Sequence, residues 1–171
     1  MPANKGLFSK YPNPIWVETG SWHGDGIQQA IDEGFTEIYS IELSEALHQR
    51  CSERFKDVPF VHLIQGDSHI VLDSLLSTLH QPITFWLDGH FSGDDTVMGK
   101  YNTPLMQELD CIARHNVKTH TIIIDDFRDW YKANHGFDIP MIMAKISAIN
   151  PKYRFNFEDG IIPNDILVAS V

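Results

Sequence analysis

Short apolar runs alternate with amphipathic stretches along most of the chain. Ile15-Trp16-Val17 is closed by Glu18-Thr19 and reads as a strand over 15–19. Glycines at 20, 24 and 26 follow, then a helix that starts near Gly24 and stops at Gly34, a residue suited to end a helix in a left-handed conformation. The same beat recurs. A strand over 37–42 precedes a helix capped by Ser44, with Leu47, Cys51 and Phe55 on its inner face. A strand over 60–64 precedes a helix carrying Ile70, Val71, Leu75, Leu76 and Leu79. The strand over 83–87 leads through a long glycine-containing loop to Thr103 and Pro104, the expected N-cap and first residue of a helix with Leu105, Met106, Leu109 and Ile112 inside. A strand over 121–124 and a helix over 139–149 come next, the latter stopped by Asn150-Pro151. Strands near 153–158 and 165–170 finish the chain, with turn residues Asp159-Gly160 and Pro163-Asn164 between them.

Five strands alternating with helices predict right-handed crossovers and parallel pairing. The last connection, about six residues, is too short for a helical crossover and predicts a hairpin. The expected fold is therefore α/β: a Rossmann-like, mostly parallel seven-stranded sheet with helices on both faces and a C-terminal antiparallel hairpin. Pro2, Pro12 and Pro14 make residues 1–14 an irregular arm, with a single domain over 15–171.

Composition narrows the function. With 171 residues and 43% hydrophobic content the chain can build a real core. Its net charge of −10 argues against wrapping a phosphate backbone and leaves a small-molecule acceptor as the expected partner, with no nucleic acid. No apolar run approaches the roughly 18 residues of a membrane span, so no membrane is expected. Cys51 and Cys111 form no Cys-x-x-Cys motif and read as reduced core thiols, which fits a cytoplasmic protein. A homodimer is the commonest prior for assembly.

The candidate chemistry gathers where strands end. In open α/β sheets ligands lie beyond the carboxyl ends of the strands, at the switch in strand order. Glu18, Glu42, Asp88 and Asp125-Asp126 close four strands, and Asp67 follows a fifth. Acids crowded on one edge repel one another unless something cationic sits among them. Glu42, about 20 residues beyond the glycine loop, can accept hydrogen bonds from both hydroxyls of a ribose; the plainer reading is a neighbour of the Ser44 cap. Asp88, Asp125 and Asp126 would make an oxygen-rich site of the kind magnesium or another divalent cation prefers. The plainer alternative has Asp88 touching only cofactor or substrate, and Asp125-Asp126 capping the next loop.

The spacing Glu18-x-Gly20-x-x-x-Gly24 departs from the dinucleotide fingerprint and resembles motif I of the class I S-adenosylmethionine (SAM) dependent methyltransferases. The resemblance runs over 15–171 and implies SAM as cofactor. Gly20 and Gly24 would let the backbone meet its methionine part, with Glu18 holding the loop. Asp67 and Ser68 resemble the motif that meets adenine, and Trp22 is either a lid or packing. The Asp88 and Asp125-Asp126 pattern resembles the metal-dependent O-methyltransferases of the catechol type and their relatives acting on natural-product sugars. Their lysine base, three residues past the strand-four Asp, is replaced here by Phe91. His90 is the nearest substitute as base or as a fourth ligand, and Lys100 is a weaker one. The wording Trp86-Leu87-Asp88-Gly89-His90-Phe91-Ser92-Gly93 also resembles a group of small bacterial proteins of the same superfamily. The amino-nucleobase motif Asn/Asp-Pro-Pro-aromatic is missing.

These readings converge on a SAM-dependent methyltransferase, with divalent-cation-assisted transfer to a hydroxyl oxygen of a small molecule. Two alternatives stay open: a metal-free methyltransferase with His90 as base, and a catalytically silent SAM- or nucleoside-binding module acting through a partner. The other histidines, among them His23, His62, His69, His115 and His120, lack zinc spacing and are expected mostly on the surface or in loops.

Overall fold

A computed structural model describes residues 3–89, 103–127 and 137–171. Its elements follow the sequence pattern to within a residue or so at most ends: β1 Ile15–Thr19, α1 Asp25–Asp32, β2 Ile38–Glu42, α2 Glu45–Arg54, β3 Val61–Gln65, α3 Ser68–Leu76, β4 Ile83–Leu87, α4 Leu105–Arg114, β5 Thr121–Ile124, α5 Ile139–Ile149, β6 Arg154–Glu158 and β7 Ile166–Ser170. The seven strands form one sheet in the order β3-β2-β1-β4-β5-β7-β6. The first five are parallel, and β7 runs antiparallel to both β5 and β6. The expected hairpin is present, with its second strand inserted inward. The chain reverses direction of travel across the sheet between β1 and β4, so the loops after these two strands splay apart and leave a crevice.

β1, β4 and β5 are buried along their whole length, as strands covered on both faces must be. One apolar layer contains Phe85, Leu109, Ile112, Ile122 and Ile142. The other holds Trp16, Ile27, Ile38 and Trp86. The N-terminal arm contributes to this second layer. A single 3₁₀ turn over Phe8–Lys10 buries Phe8 completely, with its ring 5.5 Å from that of Trp16 and 5.1 Å from that of Trp86.

Two local expectations need correction. Pro104, not Thr103, occupies the N-cap of α4, and Thr103 Oγ1 accepts the Leu105 amide at 3.4 Å from one position further back. His115 and His120 are buried rather than superficial. At the amino-terminal edge of the sheet, the Ile83 N–H donates to His120 Nδ1 at 3.1 Å. His120 Nε2 must then carry the proton and donate to His115 Nδ1 (2.9 Å), and His115 Nε2 donates to the Leu79 carbonyl (2.9 Å). Both rings are thus neutral with settled tautomers, which is how two polar rings tolerate burial. Burial, and then the neighbouring His115, push the His120 pKa down to about 4. Cys51 and Cys111 are free and buried, with burial raising both thiols to about 11.

Candidate functional site

The crevice is built from the turn after β1. Gly20 has φ +88, and a side chain there would bring its first carbon 2.7 Å from the Asp88 carbonyl, so the turn can lie against the end of β4 only as glycine. Gly24 and Trp22 also take positive φ, at 83° and 46°. α2 clamps this turn from outside: Cys51 Sγ donates to the Trp22 carbonyl at 3.3 Å, and Arg54 bonds the His23 carbonyl at 2.6 Å and Asp25 at 2.7 Å. The Trp22 ring lies 4.1 Å from the His23 ring and is 36% exposed, so it is only partly packed. A cleft of about 250 Å³, solvent at its mouth included, lies among Glu18, Gly20, Trp22, Asp25 and Asp88.

Register places the acids. Glu18 pairs with Ser40 across β1 and β2, and Ser40 Oγ lies 2.5 Å from Glu18 Oε2. Ser21 Oγ sits 2.6 Å from Ser40 Oγ, so the three groups form a buried chain running from the turn to the strand. Burial first, then Asp88 and Glu42, raise Glu18 to about 8, against the stabilising Ser40 hydroxyl. Glu42 is also buried. Its two oxygens accept the Trp22 amide (2.9 Å) and the Ser44 amide (2.8 Å). Glu42 therefore joins the turn after β1 to the start of α2, and each oxygen keeps a second lone pair.

Asp67 occupies the N-cap position of α3, yet its carboxylate pairs with His69 Nδ1 at 2.6 Å instead of capping the helix. Ser68 Oγ donates to Glu108 Oε1 at 2.5 Å. Glu108 is the residue the sequence reading missed. It is 1% exposed, lies close to Gly89 and Thr19, and so ties together the ends of β1, β4 and the turn before α3. Burial raises it to about 7; the Ser68 and Thr19 hydroxyls oppose the shift, and Asp67 and Asp88 reinforce it. The signal was present in the sequence, because Glu108 falls on the buried stripe of α4 with Leu105, Leu109 and Ile112.

Asp88, Asp125 and Asp126 converge at the ends of β4 and β5, each offering a carboxylate oxygen within 4.8 Å of the others'. Asp125 is 8% exposed; burial, then Asp88 and Asp126, raise it to about 8. Asp126 adopts φ +51, a left-handed conformation uncommon outside glycine. Three carboxylates gathered this closely present the hard oxygen donors that a divalent cation prefers. His90 and Lys100, the two candidates for a base, lie outside the described residues.

Comparison with known proteins agrees with this architecture. No family model matches the chain, and no curated protein matches it significantly. Solved structures do. An O-methyltransferase from Bacillus cereus, solved in complex with SAH, superposes with TM-score 0.64 at 11% identity, over 98% of this chain and 78% of that one. An rRNA methylase from Streptococcus thermophilus gives 0.55 at 15% identity over 95% and 90% of the two chains. A Staphylococcus aureus protein provisionally assigned as a caffeoyl-CoA O-methyltransferase gives 0.58 at 14% identity over 96% and 78%. The chain has the class I SAM-dependent methyltransferase fold. Among the described residues no helix is long and apolar enough to cross a membrane.

Proposed function

We propose that the protein is a SAM-dependent methyltransferase that transfers a methyl group to a hydroxyl oxygen of a small molecule with help from a divalent cation such as magnesium. The observation that carries this reading is the Asp88, Asp125 and Asp126 cluster, set beside the glycine turn at the switch in strand order. The donor set fits a hard cation: three carboxylate oxygens lie within 4.8 Å, burial and then the neighbouring Asp88 and Asp126 raise the Asp125 pKa, and a positive charge would oppose that shift. When bound, the cation would supply Lewis acidity to acceptor oxygens. The chain's own residues supply position. Glu42 has lone pairs for two ribose hydroxyls, the glycines of the turn from Gly20 to Gly24 let the methionine part approach the backbone, and Asp67-Ser68 meets the adenine. Since Ser68 Oγ is committed to Glu108, its contribution to adenine comes through the backbone. Trp22, partly exposed at the mouth, closes over the cofactor. Aligning methyl group and acceptor oxygen is the main catalytic task.

The resemblance to an rRNA methylase favours a second reading, with an RNA acceptor, which the net charge of −10 opposes. Calorimetry with SAM, with and without magnesium, tests the first. SAM binding and magnesium-dependent turnover of small hydroxylated acceptors, with turnover lost in Asp125→Ala, are expected. SAM binding with turnover indifferent to chelator would leave the methyltransferase but remove the cation, and failure to bind SAM would remove both.

A further inference from the structure

At the far edge of the sheet from β3 lies β6, which among the described residues pairs with β7 alone. Its sequence is Arg154-Phe155-Asn156-Phe157-Glu158. Read in the reverse direction the pattern is unchanged except that the charges at the two ends trade places. Two copies placed antiparallel about Asn156 would set each Arg154 opposite a Glu158 and each Phe155 opposite a Phe157, on opposite faces of the ribbon. We propose that the protein forms a two-fold symmetric dimer through β6, joining two seven-stranded sheets edge to edge.

Three observations support this occupant over others. Phe157 is 43% exposed, and the adjoining turn carries Ile161 at 67% and Ile162 at 37%, so three of the large apolar side chains left exposed among the described residues lie on this one hairpin. Natural sheet edges are usually covered or broken by bulges and prolines, and an open apolar edge invites a strand. The edge also carries both signs in a chain of net charge −10: Lys152 and Arg154 at the start of the strand, and Glu158, paired with Lys10, followed by Asp159 at its end. Antiparallel pairing of two copies brings the basic start of one strand against the acidic end of the other. Finally, the acid is pre-positioned. Lys10 Nζ and Tyr11 OH bond Glu158 at 2.7 and 2.8 Å, and Asn4 bonds the Asp159 carbonyl at 2.8 Å, fixing the strand's end before any partner arrives. Among the described residues Arg154 has no ion-pair partner within its own chain.

Sedimentation velocity over a wide concentration range, on the full chain, tests the proposal through two single variants and their mixture. Arg154→Glu would face Glu158 at both symmetric positions, and Glu158→Lys would face Arg154 at both. Each alone is expected to weaken dimerisation by about tenfold or more, since opposite charges become like charges twice. Mixed in equal amounts, the two variants pair Glu with Lys and Arg with Glu, and the dimer is expected to return. Thermal melting of each variant confirms folding, and Arg154→Glu, at an exposed position, serves if Glu158→Lys disturbs the arm. A wild-type monomer throughout, variants that dimerise like wild type, or a mixture that stays monomeric would each overturn the proposal.

Discussion

Two buried groups of titratable side chains sit at opposite ends of the same sheet and obey different rules. At the amino-terminal edge, His115 and His120 form a closed chain from the Ile83 amide to the Leu79 carbonyl, with every ring nitrogen used. At the carboxyl-terminal edge, Glu18, Glu108 and Asp125 have their pKa values raised by burial and by one another's neighbours, even with hydroxyl groups helping two of them. The first group is complete in itself and can only stabilise. In the second the acids stay crowded, and a positive charge placed among them would lower their repulsion.

The largest expected effect separates the two ends by function. Replacing Asp125 with Ala should lower cation-dependent turnover by more than about 100-fold, a loss exceeding that from removing a group outside the ligand shell. Asp125→Asn, which keeps the size of the protonated acid and bars its ionisation, should leave the ligand-free protein at least as thermally stable as wild type. A drop in melting temperature for Asp125→Asn would mean that the cluster is structural and the contrast false.

Acid should act on the two ends with opposite sign. His120 has its folded pKa lowered to about 4 from 6.5, so the unfolded chain binds the extra proton between those values. This contribution is full above pH 6.5, is lost as pH falls toward 4, and amounts to roughly 3 kcal/mol. Glu18, Glu108 and Asp125 have raised pKa values of about 8, 7 and 8, so here the folded state holds the extra proton. Their contribution is full below pH 4 and is lost as pH rises toward 8. Urea unfolding of the ligand-free protein should therefore show stability declining from pH 6.5 to 8, and magnesium should flatten that decline. In His120→Ala the opposing histidine contribution is removed, so stability should rise more steeply than in wild type as pH falls from 6.5 to 4, alongside a general loss of about 1–3 kcal/mol from the unpaired Ile83 amide and His115 ring.

Gly20→Ala should disturb the site more than the fold. It costs about 1–3 kcal/mol in backbone strain and pushes the turn away from Asp88, so SAM affinity should fall while the His115–His120 end keeps its amide-exchange protection. The smallest effect is expected for Arg54→Ala. Its exposed bonds to Asp25 and the His23 carbonyl contribute up to about 1 kcal/mol, and calorimetry should register a modest loss of SAM affinity with little change in melting temperature.

The residues that were legible from the sequence, and those that were not, divide along the same physical line. Strand-end acids can be read because a strand closing in a carboxylate is a local pattern, and Glu18, Glu42, Asp88 and Asp125 all stand where that pattern puts them. Glu108 escaped because it reads as one polar residue in a helix, and its meaning comes from Ser68, 40 positions away, and from Thr19 on another strand. His115 and His120 escaped for the same reason: their partners, Leu79 and Ile83, lie 36 and 37 residues earlier.

What the sequence determined by itself is the order and kind of the elements, the parallel core, the closing hairpin and the glycine turn, because these follow from short-range periodicity and from the backbone freedom of single residues. The tertiary structure alone decided which acids share a cavity, which hydroxyl each one meets, how far burial moves its proton affinity, and which strand is left on the open edge. Those properties depend on distances between segments remote in the chain and on the exclusion of water around them, and neither quantity is written in any local stretch of residues.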